Sequence, residues 1–102
     1  MPSKRAIIMN SLDNVATVVE EVQSGEEIAA ILGSEVTSLT ATEKIPFGFK
    51  IALTDIPQGE IVRKYGEAIG RSSTAIARGS VVHVHNLDGI RARGDLVQRS
   101  AR

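Results

Sequence analysis

The segment Gly79-Ser80-Val81-Val82-His83-Val84-His85-Asn86-Leu87 decides how the rest of the chain is interpreted. Apolar and polar residues alternate along it with a period of two, which is typical of a half-buried β-strand. Because residues two apart on a strand point to the same side, we expect His83 and His85 on one face, and Val82 and Val84 on the other. The segment therefore predicts two neighbouring imidazoles, about 6–7 Å apart, opposite a face that packs on a core.

Two interpretations of the histidine pair stay open. Two imidazoles at positions i and i+2 can share a metal ion, or act on one substrate as base and acid. The same pair could be two solvated side chains on an exposed sheet face. His83 and His85 are the only histidines in the chain, so a complete metal site needs a third or fourth ligand from Asp, Glu or another chain.

The composition limits the classes of protein to which the chain can belong. Its 102 residues form one small domain. Twelve acidic and twelve basic residues, one Tyr, two Phe and no Trp argue against a nucleic-acid partner, which requires a basic surface and stacking platforms. The absence of Cys excludes disulfides and thiolate metal sites. No apolar stretch has the length of a membrane span or a signal peptide, so we expect a cytoplasmic protein without a membrane partner.

Hydrophobic patterns and turn signals predict a mainly β fold with one or two short helical turns. Strands are expected at residues 5–9, 15–22, 36–39, 49–53, 60–65 and 79–87. A two-turn helix is expected over residues 26–32, ending at Gly33, and a single helical turn over residues 72–77. Residues 66–70 are expected to form a loop. We divide the chain into a β domain, residues 1–90, and a basic, loosely held C-terminal tail, residues 91–102.

A short pattern recurs three times along the chain, and it consists of an apolar residue, two residues, a glycine, two residues and an apolar residue. It occurs at residues 22–28, 56–62 and 76–82. A glycine that can adopt positive φ after an apolar anchor predicts a tight corner that leads into the next strand. Because the copies are unequally spaced, we expect a compact β fold with long connections rather than a solenoid.

Four segments stand in an order that is similar to one protein family: Asp13-Asn14-Val15-Ala16, then Ile45-Pro46-Phe47-Gly48-Phe49-Lys50-Ile51-Ala52-Leu53, then Lys64-Tyr65-Gly66-Glu67-Ala68-Ile69-Gly70, then Val82-His83-Val84-His85-Asn86-Leu87. From about Leu12 to Leu87, the chain resembles the N-terminal SAF-type domain of the altronate/galactarate dehydratase family. The last two segments together are specific to this family, although either segment alone would be weak evidence for it. That family also contains a sulfolactate sulfo-lyase whose small subunit is such a domain on its own.

The resemblance implies a β-clip fold, in which short, bent β-hairpins fold over one another. It also implies a dehydratase or lyase that acts on a polyhydroxy or sulfonated carboxylate, with iron(II) or another divalent metal as cofactor. In the family a large catalytic domain follows the small one, whereas this chain ends soon after Leu87. We therefore expect the small subunit of a two-component enzyme, inactive alone, whose metal can be supplied at the interface with a large catalytic subunit.

Elimination of water beside a carboxylate needs a base for the α-proton, stabilisation of the developing enolate-like charge, and an acid or metal for the leaving hydroxyl. Histidine is the side-chain type that exchanges a proton near neutral pH, so His83 and His85 are the candidate catalytic residues or the candidate metal ligands. Lys50 and Lys64 are candidate substrate-binding residues, which could pair with a carboxylate or with hydroxyls. The alternative for both is an ordinary surface lysine.

Tyr65 and Asn86 complete the predicted substrate site. Tyr65 could donate a hydrogen bond to the enediolate oxygen, or it could be a half-buried packing residue with its hydroxyl in water. Asn86 could orient a histidine or hold the substrate, or it could only cap a turn. The chain also departs from the family, because Gly48-Phe49-Lys50 stands where the family has Gly-His-Lys. The partner would have to supply the contact of that histidine, unless the substrate differs or catalysis is lost.

A second hypothesis places the chain outside the enzymes. A β-clip domain could bind a small carboxylate or a protein partner without doing chemistry, and Phe49 in place of the family's histidine favours this alternative. Asp13 and Asn14 are expected to be turn-formers rather than site residues. Edge strands in so small a domain also leave self-association into a homo-oligomer open.

Overall fold

The computed structural model describes residues 4–89, which form nine β-strands and no helix. The strands are β1 (Lys4–Ile7), β2 (Val15–Val18), β3 (Glu27–Leu32), β4 (Glu35–Thr40), β5 (Lys50–Ala52), β6 (Ile61–Lys64), β7 (Glu67–Ser72), β8 (Val81–Val82) and β9 (Leu87–Gly89). They form a six-stranded sheet in the order β4-β3-β1-β2-β5-β8 and a three-stranded sheet in the order β6-β7-β9. The predicted mainly β fold is confirmed. The predicted basic tail, residues 91–102, lies outside the described residues.

Two apolar cores lie on opposite faces of the central strands β2 and β5. Ala16 of β2 and Ile51 of β5 belong to the first core, whereas the adjacent residues Val15 and Ala52 belong to the second. Successive residues of a strand face opposite sides, so these two short strands are buried on both faces. The second core also contains Val62 of β6, and it therefore joins the three-stranded sheet to the six-stranded one.

The predicted corners are confirmed, and the described residues contain four of them rather than three. Each corner is a turn closed by a hydrogen bond from its fourth to its first residue, with a glycine at φ between 86° and 89° in third place: residues 23–26, 46–49, 57–60 and 77–80. This is the geometry of a type II turn, in which glycine is favoured at the third position. The fourth corner also fits the sequence pattern, at residues 45–51, but was not among the predictions.

The apolar residue before each corner joins the corners in pairs. Val22 pairs with Ile45, and Ile56 pairs with Ile76, in each case through two backbone hydrogen bonds of 2.8–2.9 Å. All four side chains are buried. The chain therefore contains two similar units, each made of two corners joined by a β-bridge. The spacing between corners within a unit differs from the spacing between the units.

The predicted helix over residues 26–32 is wrong, because this segment is strand β3. It pairs in parallel with β1 and antiparallel with β4, and its alternating residues Ile28 and Ala30 are buried in the first core. Two alanines favour a helix only weakly, so pairing with two neighbouring strands outweighs that preference. Gly33, the predicted helix end, instead takes a φ of 61° in the β3–β4 hairpin.

Two predictions in the second half of the chain are also wrong. Residues 66–70 were expected to form a loop, but residues 67–70 belong to strand β7. Gly70 has no room for a side chain, because a Cβ there would stand 2.5 Å from the Asp88 carbonyl oxygen of β9. A glycine inside a strand commonly marks such a close approach of another backbone. The helical turn expected over residues 72–77 is irregular instead, and Ile76 within it forms the bridge to Ile56.

No helix within residues 4–89 is long and apolar enough to cross a membrane. The cytoplasmic location stays a prediction.

β4 is an edge of the six-stranded sheet, and all its residues except Leu39 are exposed. The homo-oligomer also stays a prediction.

Candidate functional site

The predicted histidine strand ends early, at Val82. Residues 83–86 form a β-turn instead, in which the Asn86 N–H donates to the His83 carbonyl at 3.0 Å. The period-two expectation is therefore wrong beyond Val82: Val84 is 80% exposed rather than facing a core. His83 is half-buried and His85 is exposed on the turn, so the two imidazoles do not share one strand face.

Asn86 is the physical reason for the early end of the strand. Its side-chain Oδ1 accepts from the His83 N–H at 2.9 Å, and its Nδ2 donates to the Val81 carbonyl at 2.8 Å. Asparagine side chains that bond nearby backbone compete with a strand ladder and favour turns. Asn86 is 5% exposed, so its amide serves the turn, which matches the turn-capping alternative. Its role in binding substrate stays a prediction.

Phe49 lies against His83. The ring centroids are 4.5 Å apart with an angle of 40° between the ring planes, and Phe49 also packs against the first core. The position at which the chain departs from Gly-His-Lys is therefore in direct contact with a predicted catalytic histidine. No sequence signal joins residues so far apart in the chain, so this contact was not predicted.

The histidines do not make a metal centre with the rest of the described chain. Within residues 4–89, no three side chains of His, Cys, Asp or Glu are grouped so that they could hold a metal ion. His83 and His85 supply two donors at most, whereas a metal site needs three or more protein ligands. These residues therefore do not fit iron(II) or another divalent metal by themselves, and that cofactor stays a prediction.

Lys50 and Lys64 interact through their charges. Burial, and in second place the charge of Lys64, lower the pKa of Lys50 from its usual value. Within residues 4–89, neither ammonium group takes part in an ion pair, and Lys64 lies 5.1 Å from the ring centroid of Tyr65. Two adjacent cations without a carboxylate partner in this part of the chain are a natural place for an acid group.

Thr17 was missed by the sequence analysis. It lies opposite Lys50 in the β2–β5 register, and its Oγ1 is buried without a hydrogen-bond partner among the described residues. A buried hydroxyl without a partner is uncommon in folded proteins. The available signal was weak, since Thr17 is a lone polar residue in the valine-rich strand β2.

Tyr65 lies at the tip of the β6–β7 hairpin, rather than inside a strand as predicted. It is 62% exposed, and its φ of 59°, followed by 74° at Gly66, is that of a type I′ turn. Asp13 holds this tip, because its carboxylate accepts from the Tyr65 and Gly66 N–H groups at 3.0 and 2.7 Å. Asn14 bonds the backbone of Ile61 and Arg63 in the same hairpin.

The predicted residues fall into two groups: Lys64 lies beside Tyr65, and His83 lies against Phe49. Phe49 packs on the first core, whereas Val82, the strand partner of Lys50, belongs to the second core, so Lys50 and His83 are not brought together on one face of β5. Cations can bind an acid group, and an imidazole can exchange a proton. These residues line neither of two clefts, of about 560 and 240 Å³, elsewhere on the domain. Tyr65 and His85 are exposed, so another surface would be needed to enclose a small substrate at these two side chains.

Comparison with known proteins gives one matching family. The family model for the altronate/galactarate dehydratase SAF domain matches residues 4–89, which include every predicted site residue. Altronate dehydratase of Escherichia coli (strain K12) is 38% identical over 80 residues, which are 78% of this chain and 15% of that enzyme. Galactarate dehydratase (L-threo-forming) of the same organism is 40% identical over 82 residues, which are 78% of this chain and 14% of that enzyme.

A third relative is a small protein. The (2R)-sulfolactate sulfo-lyase subunit alpha of Chromohalobacter salexigens is 38% identical over 72 residues. The match covers 69% of this chain and 77% of that subunit. The chain thus spans a small fraction of the two dehydratases but most of the length of the sulfo-lyase subunit.

Proposed function

The chain belongs to the altronate/galactarate dehydratase SAF-domain family, and from this premise we propose that it is the small subunit of a two-component dehydratase or lyase. The enzyme eliminates water from a sugar acid, or sulfite from a sulfo-acid. The small subunit does not turn over substrate alone. It docks on a larger catalytic chain, and the two together enclose the substrate.

One observation carries the proposal. Similarity extends over 77% of a protein whose name makes it one subunit of a lyase, but over only 15% of an altronate dehydratase. The exposure of Tyr65 and His85 agrees with this proposal, because exposed side chains need a second surface to enclose a substrate. A carboxylate elimination needs a site from which water is excluded, and a second chain can provide that enclosure.

The cations bind the acid group of the substrate in this proposal. The charge of Lys64 acts on Lys50, and neither ammonium group has a carboxylate partner within residues 4–89. A substrate carboxylate or sulfonate placed beside them offsets the repulsion between the two ammonium groups and replaces the water that Lys50 has lost. The exposed Tyr65 hydroxyl is placed to donate a hydrogen bond to the same substrate.

His83 exchanges the proton during elimination. A base removes the proton α to the carboxylate, the bond from the β-carbon to oxygen or sulfur breaks, and the leaving group departs as water or sulfite. His83 is held by the turn through its backbone N–H and by the ring of Phe49, which fixes the position of its imidazole. His85 is exposed on the same turn and faces the larger chain. A divalent metal, iron(II) in this proposal, is held by ligands of the larger chain.

An activity assay with and without a large catalytic chain of the same enzyme family tests the proposal. Altronate, galactarate and sulfolactate are offered with ferrous iron, and keto acid or sulfite is measured. We expect turnover of one of these acids only when both chains are present. Turnover by the small chain alone would contradict the subunit proposal, as would its failure to raise the activity of the larger chain.

Single substitutions then assign the roles. His83→Ala is expected to lower kcat by about 100-fold or more, the usual scale of a lost proton-transfer residue. Lys50→Met is expected mainly to raise KM, because it removes binding of the acid group. Lys44→Met is the matched control, since its ammonium pairs with Glu21 at 3.1 Å.

A binding module is the second candidate function. The replacement of histidine by Phe49, against His83, favours it, because the second imidazole of the family pattern is missing at the point of contact. In that case the small chain binds an acid and does no chemistry. His83→Ala would then change the affinity for the acid, measured by calorimetry, while the activity of the two-chain complex stayed unchanged.

A further inference from the structure

We propose that the larger chain docks on two adjacent turns at one end of the β5–β8 pair, with Phe47 and Val84 as its apolar anchors. We call this surface, residues 46–49 and 83–86, the two-turn end. The inference rests on the proposed function, because it assigns the surface at which the two chains of that enzyme meet.

The strand register places the two turns side by side. β5 and β8 run antiparallel, and Lys50 pairs with Val82. The turn before Lys50 and the turn after Val82 therefore leave the sheet at the same end. The ring contact between Phe49 and His83 continues this pairing beyond the last strand residues.

Both turns are firmly held at their bases. In the first, the Gly48 N–H donates to the Val18 carbonyl at 3.0 Å, and the Val18 N–H donates to the Phe49 carbonyl at 3.0 Å. In the second, the buried Asn86 side chain bonds the backbone on both sides of the turn, as described above. The two-turn end is thus a preorganised surface, which lowers the entropy lost when a partner binds.

The side chains at the turn tips are large, apolar and exposed. Phe47 is 70% exposed and Val84 is 80% exposed, and each is the second residue of its turn. That position of a turn accepts most residue types, so turn geometry does not require apolar side chains there. Exposed apolar side chains brought together on one surface indicate an interaction site, and aromatic residues are typical interface anchors.

The identity of the binding partner follows from the residues next to the two-turn end. Lys50 starts β5 immediately after the first turn, and His83 starts the second turn. If these residues share a substrate pocket with the larger chain, that chain must lie against the same end of the domain. The lengths of the relatives agree with this occupant, because the matched region is 15% of altronate dehydratase and the remaining polypeptide is much larger than this domain.

Binding of tip variants to the larger chain tests the docking surface. Calorimetry measures the binding of four small chains to the large catalytic chain with which the unmodified chain is active: the unmodified chain, Phe47→Ser, Val84→Ser and the double variant. We expect each single change to weaken binding by several-fold and the double variant by about tenfold or more. Val36→Ser is the matched control, since Val36 is 60% exposed on β4, at the other edge of the six-stranded sheet, and should bind like the unmodified chain.

A second measurement makes the result independent of any folding defect. Amide hydrogen exchange of the unmodified chain, with and without the larger chain, should show new protection at residues 47–49 and 83–86. Three outcomes would overturn the docking surface but leave the proposed function. The double variant could bind the larger chain at full strength, or Val36→Ser alone could weaken binding. The third outcome is that the unmodified chain forms a dimer through this surface, so that the double variant is monomeric but still binds the larger chain. Failure of the unmodified chain to bind would overturn both.

Discussion

Phe49 and His83 contact each other through their rings, at a centroid distance of 4.5 Å. Thirty-odd positions separate them along the chain, yet β5 and β8 bring them together because Lys50 and Val82 are partners in the antiparallel register. The contact explains how one substitution at position 49 reaches the predicted catalytic site. An apolar ring there packs on the imidazole instead of offering a second nitrogen donor.

Substitution of Phe49→His should therefore create a two-imidazole site. Two imidazoles at this separation can bind one divalent ion together, since nitrogen ligands suit zinc. We expect the isolated Phe49→His chain to bind one Zn²⁺ more tightly than the unmodified chain, as measured by isothermal titration calorimetry. The gain should vanish when His83→Ala is added. Equal zinc affinity of the unmodified chain and Phe49→His would show that the rings cannot turn their nitrogens toward a common ion.

The corner glycines should differ sharply in their tolerance of alanine. Gly59 and Gly79 have nearly the same positive φ, of 86° and 89°, but a Cβ at Gly59 meets nothing within 4 Å, whereas a Cβ at Gly79 would lie 2.1 Å from the Thr40 carbonyl oxygen. Gly59→Ala should lower the free energy of unfolding by about 1–2 kcal/mol, the cost of a left-handed backbone for an L-residue. Gly79→Ala should cost clearly more, because backbone must move. Urea unfolding gives both values, and equal losses would contradict the close approach.

Tyr65 should be a stabilising position when it is replaced by asparagine. It is the first of the two central residues of a type I′ hairpin turn, with a φ of 59°, and asparagine is preferred at this position. We expect Tyr65→Asn to raise the free energy of unfolding by about 0.5–1 kcal/mol, because the left-handed conformation costs asparagine less. In the two-chain assay the same variant should lose activity if the tyrosine hydroxyl binds substrate. A lower stability of Tyr65→Asn would indicate that the tyrosine ring contributes more than the backbone costs.

Lys50 should make stability depend on alkaline pH. Burial and the charge of Lys64 lower its pKa in the folded chain from the usual 10.5. The unfolded chain therefore holds this proton more tightly, and stability rises with pH between the folded and the unfolded pKa. Lys50→Met should be more stable than the unmodified chain at pH 7, and the difference should shrink as the pH rises toward 10.5.

Urea unfolding at stepwise pH measures this difference. Lys44→Met serves as the control, because Lys44 forms an exposed ion pair with Glu21 and should show no such trend. Lys64→Met should raise the pKa of Lys50 toward its usual value, since it removes the neighbouring charge, and NMR titration of the lysine side chains reports this directly. A pKa of Lys50 that does not respond to Lys64→Met would mean that the two ammonium groups are not close neighbours.

Several features were predicted correctly because they depend on local chemistry. Glycine adopts positive φ without steric cost, and the same apolar-x-x-Gly pattern recurs along the chain, so the corners at Gly25, Gly59 and Gly79 could be predicted from sequence. Alternation of apolar residues predicted strands such as β2 and β5. The four motif segments indicated the family, which the match over residues 4–89 confirms.

Two other features failed, one because strands distant in the chain decide it and one because a local side-chain hydrogen bond decides it. Residues 27–32 form a strand since β1 and β4 flank them, and no local pattern records those partners. The turn at His83 forms because Asn86 finds the backbone of Val81 and His83 within reach, which an alternating pattern conceals. Both errors came from assigning to one segment a conformation that its surroundings select.

By itself, the sequence determined the mainly β class, the corners and the family, since backbone preference and motif order are written in neighbouring residues. Only the tertiary structure decided that Phe49 touches His83, that Lys64 lies near Lys50, and that Thr17 is buried without a partner. The physical reason is that these relationships are distances across strands. Strand register sets such distances, and the hydrogen bonds that fix the register join residues far apart in the chain.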